Sequence, residues 1–141
     1  SFLSVFPDCL QGHTEYYMLL DVVGGGARHL AVHPDGKHVF VNEEAGSKLT
    51  CYDWDAETGT LTPKQSLSTL PEGYTEQVFT AECSLNANGD VAYVADRVWP
   101  PVPGKDGGLL ATFGVGSGAF PLCVSNIACI LRKVQSVEGS V

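Results

Sequence analysis

One pattern occurs twice in this chain, and it constrains the fold more than any other feature. Residues 30–44 return as residues 83–97, at an offset of 53 positions without a gap. Gly36 falls on Gly89, Phe40 on Tyr93, Val41 on Val94, Val32 on Leu85 and Glu44 on Arg97. Each copy reads as a short alternating strand, a tight turn and a second alternating strand. The turns are Pro34-Asp-Gly-Lys37 and Asn88-Gly89, in which proline presets φ and glycine supplies the positive φ that a tight turn needs.

A period near 50 built from strand, turn and strand is the mark of a β-propeller blade. The fold class expected is therefore all-β, about two blades of a propeller. Strands at Arg28–His33, His38–Glu43, Lys48–Asp55 and Leu61–Leu70 make one complete blade over residues 28–70. Strands at Glu82–Asn86, Val91–Asp96 and Leu109–Val115 make a second, incomplete one over 81–115, interrupted by the Pro/Gly-rich insert Val98–Gly108. Tyr16–Val23 reads as a further β segment. Residues 1–119 thus form a partial propeller domain, and 120–141 an irregular tail in which no repeat continues. Repeat architectures bury a continuous core only when about three or more units stack. The expectation is a fragment of a longer propeller, whose open edges invite self-association.

Composition narrows the partners. The net charge of −8 argues against a nucleic-acid or anionic-membrane partner, which would demand a basic face. No run of eighteen apolar residues is present, so no membrane span is expected. The start of the chain has no basic flank or long apolar core and reads as no signal peptide. The five cysteines are odd in number and lack CxxC spacing, and Cys51 and Cys83 sit inside strand patterns. That usage fits a reduced, cytoplasmic compartment, and no zinc ligation is expected.

With the blade pattern in place, further motifs carry a resemblance. Gly26-Ala-Arg-His-Leu-Ala-Val-His-Pro-Asp-Gly-Lys37, Val41-Asn-Glu-Glu44, Tyr52 through Thr58-Gly-Thr-Leu61, Leu70-Pro-Glu-Gly73 and Ala81-Glu82 follow in order. This resembles the seven-bladed lactonase family, which includes propeller-type 6-phosphogluconolactonases and carboxy-cis,cis-muconate cyclases. The similarity runs from about Val22 to Val115. Ala27 stands where the family usually has proline, Ser84 where many members have histidine, and Asp96-Arg97 where it has Asn-Arg.

The resemblance implies site residues. Arg28 would hold the anionic group of a substrate, since a guanidinium fork pairs bidentately with carboxylate or phosphate. Glu44, sixteen residues on, would lie beside it as general base or acid. Arg97 is the repeat equivalent of Glu44 and should emerge on the same face as a second anion-binding group. His29 and Glu82 are also repeat equivalents; a structural pair is the first reading and a catalytic relay the second. Glu43 should point away from the site. Trp54 and Tyr52 read as packing aromatics, and His33 and His38 as solvated residues flanking a turn. Gly24–Arg28 is no dinucleotide fingerprint, because no helix pattern follows. No Gly-x-Ser-x-Gly elbow is present.

The implied activity is hydrolysis of a sugar-acid lactone, 6-phosphogluconolactone first, without metal or organic cofactor. The partner would be a small anionic lactone or carboxylate. The alternatives are carboxymuconate cyclisation and a non-catalytic propeller serving as a binding scaffold.

Overall fold

The computed structural model describes residues 25–98, 108–116 and 122–126. They form two four-stranded antiparallel sheets, each a simple up-and-down meander. The first comprises β1 (Ala27–Val32), β2 (His38–Glu43), β3 (Lys48–Asp55) and β4 (Thr60–Ser68). The second comprises β5 (Val78–Leu85), β6 (Val91–Val98), β7 (Gly108–Val115) and β8 (Leu122–Asn126). No helix occurs among the described residues. The expected β segment Tyr16–Val23 and the insert from 99 to 107 lie outside them.

Turn chemistry closes each hairpin as the sequence predicts. Asp35 Oδ1 accepts the backbone N–H of Lys37 at 2.8 Å and of His38 at 3.2 Å, while Gly36 takes φ +68°. In the matched turn, Asn86 Oδ1 accepts Val91 N–H at 3.0 Å and Gly89 takes φ +78°. Asp55 Oδ1 accepts Glu57 N–H at 2.9 Å in the turn before β4.

One element departs from the sequence reading. The second sheet does not stop at Val115: Leu122–Asn126 pairs with β7, Val115 opposite Leu122 and Thr112 opposite Asn126. The second blade is thus four-stranded, and the tail assigned to 120–141 contributes its outer strand. The repeat conceals this because its register slips. β2 and β6 are 53 residues apart (38 to 91), whereas β3 and β7 are 60 apart (48 to 108). The seven extra residues lie in the insert after β6, so β8 has no in-register twin in the first sheet.

The sheets stack face to face. Phe40, Leu49 and Cys51 of the first sheet pack against Cys83, Ala92, Val94, Ala111 and Phe113 of the second. Strand alternation selects these residues: Phe40 opposes Cys51, Ala92 opposes Phe113 and Val94 opposes Ala111, so each pair shares one side of its sheet. Burial of each large side chain here contributes about 1.5–3 kcal/mol. Burial also pushes the Cys51 and Cys83 thiols up to about 12, with lesser help at Cys51 from nearby Asp53 and at Cys83 from Glu82. Both are inert core residues, as their strand positions imply. Val39, Val41 and Tyr52 form a second cluster on the opposite side of the first sheet, with Trp54 packed against it.

Candidate functional site

The site is built on a local irregularity that recurs with the repeat. Opposite β2, the register of β1 shifts between Ala27 and Leu30; opposite β6, that of β5 shifts between Thr80 and Glu82. Ala27 and Thr80 are 53 residues apart, as are His29 and Glu82. Each first strand therefore carries a bulge at the same place. A bulge re-aims side chains that a regular strand would point alternately up and down. Here Arg28 and His29, adjacent in sequence, both reach β5 of the neighbouring sheet. Asn42 Oδ1 accepts the His29 backbone N–H at 2.6 Å, satisfying a donor that the bulge frees from the ladder.

Arg28 donates through Nε to the Ala81 carbonyl and through a terminal nitrogen to Glu44 Oε1, both at 2.9 Å. Arg97 donates to the same Glu44 oxygen. One carboxylate oxygen thus bridges two guanidiniums from adjacent sheets. The backbone fixes Glu44 on both sides: its N–H donates to Gly26 O at 2.7 Å, and its carbonyl accepts Thr80 N–H at 3.1 Å. The side chains of Arg28, Glu44 and Arg97 are 32%, 31% and 47% exposed, so the group is open to a solute. Its formal charge is +1. Each guanidinium has five N–H donors; the contacts described use two from Arg28 and one from Arg97.

Alongside, His29 Nδ1 lies 2.7 Å from Glu82 Oε2. The carboxylate fixes the ring orientation and leaves Nε2 as the nitrogen able to exchange a proton. All five residues expected at the site therefore gather where β1 and β5 begin and β2 and β6 end. They form two adjacent groups, Arg28–Glu44–Arg97 and His29–Glu82.

Two further carboxylates stand behind them. Glu43 points away from Glu44, as alternation requires, but it is 7% exposed rather than an idle neighbour. It accepts the Thr50 hydroxyl at 2.9 Å, and Gly25 and Gly46 pack so closely that a Cβ would fall 2.2 and 2.7 Å from its Oε2. Its repeat equivalent is Asp96, 4% exposed, with neither oxygen hydrogen-bonded among the described residues. Burial raises the Asp96 pKa; the Thr80 and Thr69 hydroxyls draw it back in part, although neither reaches hydrogen-bond geometry. The sequence reading sets Glu43 aside as pointing away from the site and takes Asp96 only within the Asp96-Arg97 dipeptide that the resemblance places at the pocket, without pairing the two. The offset of 53 that paired Glu44 with Arg97 also pairs Glu43 with Asp96, and that was the available signal. His33 and His38, read as solvated, are in fact half-buried and held by the turn they flank.

Comparison with known proteins agrees with this architecture. The family described as "Lactonase, 7-bladed beta-propeller" matches residues 14–120. A 6-phosphogluconolactonase of Pectobacterium carotovorum is 33% identical over 76 residues, covering 54% of this chain and 23% of that protein. A 6-phosphogluconolactonase of Bacillus subtilis is 27% identical over 74 residues, 52% of this chain and 21% of that protein. The crystal structure of a Lactobacillus plantarum protein superposes with a TM-score of 0.60 at 29% identity, covering 75% of this chain and 29% of the other. The periplasmic gluconolactonase of Pseudomonas aeruginosa, at 23% identity and a TM-score of 0.58, shares the fold over 70% of this chain and 25% of its own. The chain spans about a quarter of the length of these relatives. With the family pattern matched over most of its length, and two sheets stacked as successive blades, the chain belongs to the seven-bladed β-propeller lactonase family.

Proposed function

We propose that the complete protein hydrolyses an anionic sugar-acid lactone, with 6-phosphogluconolactone as the first candidate. The observation that carries this reading is the single Glu44 oxygen shared by Arg28 and Arg97 across a blade boundary. It holds two forked cations side by side with a net positive charge, a surface suited to a phosphate or carboxylate. Relatives named 6-phosphogluconolactonase support the choice of substrate.

In this reading Arg28 and Arg97 bind the phosphate, and Glu44 sets their spacing. His29, oriented by Glu82, takes a proton from water as its oxygen attacks the ring carbonyl. The proton passes to the ring oxygen as the acyl C–O bond breaks, leaving an open-chain hydroxy acid. Glu44 is the second candidate to accept that proton, through the oxygen that the arginines leave free. The remaining blades would supply the rest of the pocket.

The test is steady-state hydrolysis of 6-phosphogluconolactone and of neutral gluconolactone by the complete propeller carrying these blades. Arg97→Ala should raise KM for the phosphorylated lactone tenfold or more and change the neutral one little. An equal change for both would remove the anion-binding role.

A further inference from the structure

The turn between β1 and β2 carries two histidines and an aspartate that the site above leaves unused. Asp35 Oδ2 lies 3.0 Å from His33 Nδ1 and 2.6 Å from His38 Nδ1, and the three atoms fall within 4.8 Å of one another. What stands behind each ring matters as much. His33 Nε2 lies 3.1 Å from the Gly89 carbonyl, which can only accept, so Nε2 carries a proton and Nδ1 is the nitrogen free to turn its lone pair to an ion. The Asp35 backbone N–H points at that Nδ1 from 3.2 Å. Nε2 of His38 faces the Asp53 carboxylate at 3.5 Å, and Asp53 is itself held by Lys64 at 2.6 Å.

Two imidazoles converge through Nδ1 on one carboxylate oxygen, with an acceptor 3.1 Å from Nε2 of His33 and another 3.5 Å from Nε2 of His38, the arrangement that transition-metal sites use. We propose that His33, Asp35 and His38 bind a divalent ion of the zinc class through two Nδ1 atoms and one carboxylate oxygen, with water completing the coordination. The turn's hydrogen bonds to Asp35 use Oδ1 and leave Oδ2 to the ion, whereas the one from Asp35 N–H to His33 Nδ1 must open as the ion enters. Tetrahedral bonds of about 2.0–2.1 Å place donor atoms roughly 3.3–3.4 Å apart. From its 3.0 Å and 2.6 Å contacts, the Asp35 oxygen must therefore withdraw by roughly 0.3–0.4 Å from His33 and roughly 0.7–0.8 Å from His38. The proton that Asp35 and His38 share leaves to solvent as the ion enters. Nitrogen donors favour this class over Ca2+ or Mg2+, which take oxygen.

The ion would serve stability rather than turnover. His38 opens β2 and Glu44 follows its end, a separation of about 20 Å at the usual rise per residue. Through the His33–Gly89 contact, the ion would fasten the first hairpin to the turn between β5 and β6 of the next sheet.

The experiment uses the untagged 141-residue chain, stripped with chelator and titrated with Co2+ and then Zn2+ by visible absorption and calorimetry. One saturable equivalent is expected, with a Co2+ spectrum free of a thiolate charge-transfer band, and a melting temperature that rises with Zn2+. His33→Ala and His38→Ala should each abolish that rise. Asp53→Asn, which touches none of the three proposed ligands, should weaken binding about 10–100-fold, while Lys64→Ala, which removes the other partner of Asp53, should not. If a His→Ala variant does not fold, Asp35→Asn keeps the Oδ1 acceptor of the turn and should show the same loss. Absence of saturable binding, a thiolate band, or affinity unchanged in the His33, His38, Asp35 or Asp53 variants would overturn the assignment.

Discussion

Asp96→Asn should stabilise this protein, and by an amount that grows with pH. Asp96 is only 4% exposed, and neither carboxylate oxygen has a hydrogen bond among the described residues. Burial raises its pKa above the ordinary value of 3.8, against a smaller pull from the Thr80 and Thr69 hydroxyls. The unfolded chain releases this proton near 3.8, while the native state keeps it to higher pH. Across that window the native state binds more protons, so stability falls as pH rises, at up to about 1.4 kcal/mol per pH unit. Below the window the acid is neutral in both states and costs little. Asn has nearly the same shape and no proton to lose. At pH 7 it should gain about 1–3 kcal/mol, because the amide, though still short of partners, carries no charge to be held buried and unpaired. Urea unfolding of both proteins at fixed concentration from pH 4 to pH 8 would measure the difference, with equal m-values marking a common denatured state. A gap independent of pH, or an Asn variant less stable at pH 7, would refute the reasoning.

Gly89→Ala should destabilise the protein by about 2 kcal/mol or more, because φ is +78° and a Cβ would fall 2.4 Å from His33 Nε2; a melt unchanged from wild type would contradict that packing. Cys51 and Cys83, both pushed up to about 12, should stay unmodified by iodoacetamide at pH 8 in the native state and react once urea unfolds the chain. Peptide mass mapping distinguishes the two states, and native labelling of either thiol would place it outside the core.

How far these features could be foreseen depended on whether the repeat carried them. The hairpins were legible because alternation and turn residues recur at one offset, and that offset placed Glu44 beside Arg97. β8 was not legible: the insert after β6 breaks the register, and an apolar run without alternation does not declare its period. Arg28 and His29 could be set near the right strand end, but the bulge that turns both toward β5 leaves no mark in the side-chain pattern. Glu43 reads like any strand-end acid, and only the close approach of Gly25 and Gly46 reveals that it is buried. His33 and His38 look like solvated turn residues because Asp35 is the one partner visible in the turn, while the others, Gly89 and Asp53, come from elsewhere in the chain.

The central claim is that two arginines from neighbouring blades, held by one glutamate, bind one anion. The most direct measurement is a titration of the 141-residue chain with 6-phosphogluconate, following the side-chain Nε–H resonances of Arg28 and Arg97 by NMR. Both resonances should move along one saturable curve, and Glu44→Gln, which removes the negative charge between the guanidiniums, should change the affinity seen by both equally. Resonances that stay still, or that move along separate curves, would contradict it.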